Sequence, residues 1–406
     1  METYVARQPI LLSDRSLFGY ELLFRDGMSN AFPGIDGNTA TSKLLTNSYL
    51  SIGMERLVGP YKGLINFTGD LLVKGIPQLF PKESLFVEVL EDVKPTRDVV
   101  IACAHLKKAG YTLALDDFFY RPGLEPLLGL SSIIKIDFRA TPMDEVAALI
   151  QNLSRYDVEF LAEKVETYDE FQQAMDMGFV YFQGYFFSKP EIISGTDIPA
   201  FKLSYLRLLA EVSKPDVDFA ALEKMIIQDV SISYKLLRYM NSAYFQRPSP
   251  ISTIRDALTF LGAEEIRRFF MLLSAAEMAS DKPISLVQNS IIRARFCEIL
   301  GREARTAGQA GELFTLGLFS LIDAMLDKPM DEIMVDIPLN KALKDALVSG
   351  SGELGRVLSF VAAYEQGLWD VCAPIAQDLG VTSAQVAEWY MQSVEMADSI
   401  TSASLC

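Results

Sequence analysis

At 406 residues the chain is long enough for two domains, each with a core of its own. Half of the residues are hydrophobic and 22% are charged, a globular balance that excludes a disordered chain. The formal net charge of −16 argues against a binder of nucleic-acid polymers or of anionic membranes, because both need a basic field. A small anionic ligand stays open, since bound divalent cations reverse the local sign. Cys103, Cys297, Cys372 and Cys406 are scattered without a CxxC pair and read as thiols of a reducing compartment. The N-terminus has no basic-then-apolar signal pattern, and no apolar run reaches the ~18 residues of a membrane span. The expected location is cytoplasmic. A single histidine, His105, sits in an amphipathic pattern that predicts a helix-surface or half-buried residue. With one histidine, a His-rich metal site or a Ser-His-Asp triad has no material, so hydrolytic chemistry would run on carboxylates, lysine and metal.

In chain order, residues 4–12 and 17–24 are apolar and β-prone, and the polar turn 13–16 between them predicts a hairpin. Glu21 lies inside the second, otherwise apolar strand. A charge there is costly unless paired or metal-bound, which marks Glu21 as functional. A helical stretch over about 40–57 follows. Strands are then predicted over 63–68, 84–91, 111–117, 132–137, 158–163 and 180–184, with helices such as 97–109, 143–154 and 168–177 between them. This alternation predicts parallel βα units closing into a TIM-like α/β barrel, whose reacting groups sit at the carboxyl ends of several strands.

Those strand ends carry Asn66, Glu88, Asp116 with Asp117, Lys135 with Asp137, Glu163 and Gln183. The adjacent aspartates organise the rest: side by side they repel each other unless a cation lies near. An isolated Asp-Asp would read as a helix cap; a series of polar strand ends does not. Hard oxygen ligands without histidine or cysteine select Mg²⁺ or Mn²⁺ over zinc. Such ions suit phosphoester hydrolysis, with Lys135 as a positive donor to the phosphate or the attacking water.

At these residues the first half resembles the EAL domain family of cyclic di-GMP phosphodiesterases. The resemblance rests on Glu21-Leu22-Leu23 with Arg25, on Asn66, Glu88 and Asp116-Asp117, on Lys135-Ile136-Asp137, on 162–167 with Glu163 and Glu166, and on Gln183-Gly184-Tyr185. It covers about residues 1–195. It implies a pair of divalent cations held by Glu21, Asn66, Glu88, Asp116 and Asp117, with Glu163 as metal-side ligand or general base and Lys135 orienting the nucleophile. Gln8, Leu23, Arg25, Glu166 and Gln183 would contact the nucleotide, and one phosphodiester bond of cyclic di-GMP would be hydrolysed to give pGpG. The barrel would contain one antiparallel strand. Two residues depart from the family pattern. Phe119 stands where a glycine follows Asp-Asp-Phe, which removes backbone freedom from a loop that couples the metal ligands to dimer packing in the family. Glu91, the usual tether of that loop, is present, and a homodimer through this half is implied. Lys164 stands where the family has glycine, beside the metal ligands. These departures leave an alternative open, a catalytically inactive cyclic di-GMP receptor or scaffold. The intact set of oxygen ligands favours hydrolysis.

Residues 187–199 form a Pro/Gly/Ser-containing break, and the domains are divided there into 1–195 and 196–406. Helical periodicity follows over 202–212, 219–229, 231–241, 254–261, 263–278, 285–306, 312–325, 340–348, 354–366 and 384–400. Residues 231–243, 254–262 and 314–322 resemble the HDOD family, a relative of HD-type phosphohydrolases, over about 200–400. This half contains no histidine, so an HD metal centre has no ligands. An all-α module for interaction with a protein partner is expected. The Asn241-Ser242 pair reads as a helix-end cap, and Phe269-Phe270 as core.

Overall fold

The computed structural model describes residues 3–26, 54–189, 205, 212, 218–228, 230–240, 253–279, 281–304, 306, 310–337 and 339–404. The predicted hairpin forms from β1 (Thr3–Leu12) and β2 (Leu17–Asp26), with Gln8 opposite Glu21. Parallel strands follow: β3 (Lys62–Phe67), β4 (Leu85–Val89), β5 (Thr112–Leu115), β6 (Ile133–Asp137), β7 (Glu159–Glu163) and β8 (Tyr181–Gln183). They close a barrel in sequence order, and β1 runs antiparallel to both of its neighbours, β2 and β8. The outer helices are α1 (Met54–Val58), α2 (Gly69–Val73), α3 (Arg97–Ala109), α4 (Glu125–Leu128), α5 (Met143–Leu153) and α6 (Tyr168–Asp176). The expected helix over 40–57 is seen only as α1, its earlier part lying outside the described residues.

Local rules explain these elements. The Thr96 side chain accepts from Val99 N to start α3, and Gly110 ends it in the left-handed conformation. Val99, Cys103 and Leu106 face the barrel while His105 stays exposed, as its spacing predicted. Thr167 and Glu170 form a capping box that fixes the start of α6 just past β7.

Inside the barrel the strand period of two sets the layers. Ile10, Leu64, Ala114, Ile133, Leu161 and Tyr181 form an inner apolar layer, with Phe86 packed on it. Two residues nearer the carboxyl mouth, the same inward face carries Gln8, Asn66, Asp116, Lys135, Glu163, Gln183 and Glu88. The apolar layer is the floor on which the polar one stands.

The second half is helical: α7 (Phe219–Gln228), α8 (Val230–Met240), α9 (Ile254–Met278), α10 (Ile284–Glu303), α11 (Ala310–Phe319), α12 (Ile322–Leu326), α13 (Met330–Asp336), α14 (Lys341–Ser349), α15 (Gly352–Glu365), α16 (Trp369–Leu379) and α17 (Ser383–Ser404). The central α10 is buried nearly all round, and α11 approaches it closely because a Cβ at Gly317 would fall 2.3 Å from Arg293 O. The break expected at Gly262 appears as a kink in α9, with φ +71° and ψ 172°. Two corrections concern helices: the stretch 312–325 is divided into α11 and α12, and α13 and α16 were not expected. Pro374 lies inside α16, where the missing N–H and ring normally argue against a helix. Phe269 and Phe270 are core, as read. Residues 241–242 and most of 202–212 lie outside the described residues.

The halves are in contact. Arg7, beside Gln8 on β1 but facing outward, makes a forked pair with Asp398 of α17 at 2.8 and 3.1 Å. Tyr20 Oη donates to Gln288 Oε1 of α10 at 2.9 Å. No helix among the described residues is long and apolar enough to cross a membrane.

Candidate active site

Lys135 is the hub of the barrel mouth. It is fully buried, and its Nζ pairs with Glu163 Oε1 at 2.8 Å, Asp116 Oδ1 at 2.9 Å, Glu21 Oε2 at 3.5 Å and, closest, Glu88 Oε1. Burial works against the ammonium, but these carboxylates overcome it and hold the lysine well above its ordinary range. Burial drives Glu88 far above the usual carboxylate range and Glu163 up to about 8, with Lys135 opposing in both cases. At Asp116 burial is outweighed by Lys135 and by bonds from its neighbours, and the group lies below its ordinary value. One ammonium thus faces a surplus of carboxylates.

The amides complete the network. Gln183 Nε2 donates to Glu21 Oε2 at 2.7 Å and to Gln8 Oε1 at 2.9 Å, and Asn66 Nδ2 donates to Glu21 Oε1 at 3.2 Å. What remains is a set of acceptors. Asn66 Oδ1, Glu88 Oε2, Asp117 Oδ1, Glu163 Oε2 and Gln183 Oε1 are buried without a hydrogen-bond partner among the described residues. Oxygens of Asp116, Asp117 and Glu163 lie within 4.8 Å of one another. Buried orphan acceptors are costly, and oxygens in this arrangement fit divalent cations. Asp117 takes a positive φ of 35°, which turns its carboxylate back to the cluster.

Above the cluster lies a cavity of about 690 Å³, within the size range of small-molecule sites. Gln8, Leu23, Glu166 and Gln183 line it, together with Arg139. Glu166 stands at the rim, apart from the carboxylate cluster, and bonds Arg139 at 2.5 Å and Lys189 at 3.1 Å. Arg25 belongs to β2, but its side chain is not among those described. Lys164, with φ +55°, turns its half-exposed ammonium onto Asp137 and comes within 3.7 Å of Asp117 Oδ1. Beside β8, Gly184 is obligatory: a Cβ there would fall 1.9 Å from Val165 O. In the loop after the aspartates Phe119 is exposed. The bond that ties this loop to Glu91 comes from Arg121 Nη2 to the Glu91 carbonyl, at 2.7 Å, and no side-chain bond from Glu91 to the loop is found among the described residues.

Two contributions escaped the sequence reading. Arg139 was legible in principle, as an arginine two residues past the Lys-x-Asp strand end. Gln366, Gly367, Leu368 and Trp369 of the helical half also line the cavity, and nothing local in the sequence marks them.

The EAL domain profile matches residues 67–190 and the HDOD domain profile residues 198–326. A cyclic di-GMP phosphodiesterase of Vibrio cholerae, CdgJ, is 37% identical over 98% of this chain and 93% of its own length. YuxH, an uncharacterized protein of Bacillus subtilis, is 36% identical over 99% of this chain and its whole length. Among solved structures, an EAL domain protein of Listeria monocytogenes aligns with 46% of this chain and 87% of its own, at 19% identity and a TM-score of 0.39. The manganese and cyclic di-GMP complex of Klebsiella pneumoniae BlrP1 aligns with 46% and 55%, at 21% identity and a TM-score of 0.38. The class is that of EAL barrels joined to an HDOD domain. The chain belongs to the EAL–HDOD family that includes CdgJ and YuxH.

Proposed function

We propose that the protein is a divalent-metal-dependent phosphodiesterase that hydrolyses cyclic di-GMP to pGpG. The observation that carries this reading is the set of orphaned oxygens around Lys135. Support comes from CdgJ, a cyclic di-GMP phosphodiesterase alike over nearly the whole chain. Glu21, Asn66, Glu88, Asp116 and Asp117 would hold the cations, and their hard oxygens suit Mg²⁺ or Mn²⁺. Such ions would polarise phosphoryl oxygens and lower the pKa of bound water.

The chain's own residues do the rest. Glu163 offers its free Oε2 as proton acceptor, in the form it would take once bound cations offset the burial that raises its affinity for protons. Lys135, buried beneath the carboxylates with which it pairs, is assigned the orienting of the nucleophile, acting through Glu163 and Asp116. Gln8, Leu23, Arg25, Glu166 and Gln183 are assigned to the nucleotide, with Glu166 held in place by Arg139 and Lys189. Arg139, half of a rim ion pair, is available to a phosphate. Residues 1–195 carry this chemistry. Residues 196–406 convey the state of the site to a protein partner, and a homodimer through the barrel half is compatible with the exposed Phe119. A cytoplasmic setting goes with the free thiols of Cys103, Cys297 and Cys372.

A second reading, a receptor that binds without turnover, is favoured by Lys164, whose ammonium occupies Asp137 and neighbours Asp117. Incubation with cyclic di-GMP and Mg²⁺ or Mn²⁺, followed by chromatography, separates the two. Expected is pGpG that disappears with a chelator and in Glu21→Ala. Product no greater than in Glu21→Ala, with nucleotide still bound, would leave the receptor.

A further inference from the structure

The turn between α15 and α16 reaches the mouth of the barrel from the other domain. The Gln366 carbonyl accepts from Gln8 Nε2 at 3.2 Å. That bond ends an unbroken series of side chains: Glu21 accepts from Gln183, Gln183 also donates to Gln8, and Gln8 donates to the turn. Gly367 lies so close to Leu23 that a Cβ there would approach Leu23 Cδ1 to 2.9 Å. Leu368, 47% exposed, presents its side chain at the cavity that these residues line.

The turn is built to keep its shape. Gly367 takes φ +67°, and the Gly367 and Leu368 N–H groups bond back to Tyr364 O at 3.0 Å and Ala363 O at 2.9 Å. This is the glycine stop of a helix, and it leaves little freedom. Trp369 is buried edge-on against Tyr364, with ring centroids 5.1 Å apart. With the turn in place the cavity still measures about 690 Å³, so the turn is a wall and not a plug.

Resting on the reading of the preceding section, we infer that this turn belongs to the dinucleotide site: Gln366 positions Gln8, and Leu368 supplies an apolar wall against which the bound nucleotide packs. The helical half is thereby a determinant of substrate affinity. Nucleotide occupancy and docking of the two halves are linked, each altering the other by the same factor.

The test uses the full chain with Gly367→Val, which drives a branched side chain into Leu23, and Leu368→Ala, which removes only the exposed wall. Leu368→Met serves as the conservative variant. Steady-state hydrolysis of cyclic di-GMP gives KM and kcat, calorimetry gives nucleotide affinity, and thermal melting reports folding. Expected is a rise of about tenfold in KM and in the dissociation constant for Leu368→Ala, the effect of losing a small apolar contact. The loss in kcat should be smaller than the rise in KM, Leu368→Met should restore affinity, and Gly367→Val should weaken binding at least as much as Leu368→Ala. Wild-type protein that takes up no cyclic di-GMP would end the proposed function and this inference with it. Wild-type binding, with unchanged constants in a folded Leu368→Ala, would overturn the inference alone.

Discussion

The ion pair at the centre of the helical half and the cluster at the barrel mouth are built in opposite ways. In the helical half Arg293 of α10 meets Glu365 of α15 one to one at 2.8 Å, with both side chains less than a tenth exposed. In the barrel Lys135 faces Glu21, Glu88, Asp116 and Glu163 together, and acceptor oxygens are left over. A balanced pair is compatible with architecture alone, and replacing such a pair by apolar groups is often neutral. A surplus of one sign is not stable by itself. The proposed divalent cations would offset it.

The largest effect that can break this contrast comes from removing the cation of each cluster. Lys135→Ala is expected to lower hydrolysis by about 10²–10³-fold. Lys135→Ala and Arg293→Met should each cost about 3–5 kcal/mol in urea denaturation of the metal-free protein, because each strands buried carboxylate. Mn²⁺ should return part of the stability of Lys135→Ala and none of that of Arg293→Met. Equal responses to Mn²⁺ would erase the distinction. A second, intermediate effect lies in pH. Burial pushes Glu163 up to about 8 against an ordinary 4.5, so the folded, metal-free protein would hold the extra proton between those values. Stability of the metal-free protein should therefore fall as pH rises through that window. Divalent cations displace the proton and should remove the dependence, which denaturation series with chelator and with Mn²⁺ would reveal. The smallest effect belongs to Lys164→Gly. It relieves the positive φ and removes a competing ammonium from Asp117, so Mn²⁺ affinity by calorimetry should rise about threefold, as suits a half-exposed charge. Unchanged affinity would show that Lys164 does not compete.

The barrel was legible because its signals are local. Each strand is a short β-prone run, and its candidate site residue sits two positions past an inward apolar one, as Leu64 and Asn66 or Ile133 and Lys135 show. Glu21 stood out because an apolar strand has no other use for a carboxylate. Helix α16 was missed because Pro374 contradicts helix propensity, and tertiary packing of Trp369, Cys372, Ala376 and Leu379 overrides it. The wall formed by residues 366–369 was invisible for a different reason. Its partners Gln8 and Leu23 are more than 340 positions away, and no pattern within a helix end announces a contact at that distance.

Neighbouring residues on β1 point to opposite sides, Gln8 into the barrel and Arg7 toward Asp398. One strand thus serves as inner lining for one half and as footing for the other. A chain shortened to its first half would leave Arg7 without Asp398 and the Tyr20 hydroxyl without Gln288, while the residues of the candidate site remained spelled out in full. Severing the chain between its halves would therefore expose the outer face of the strand whose inner face lines the candidate site.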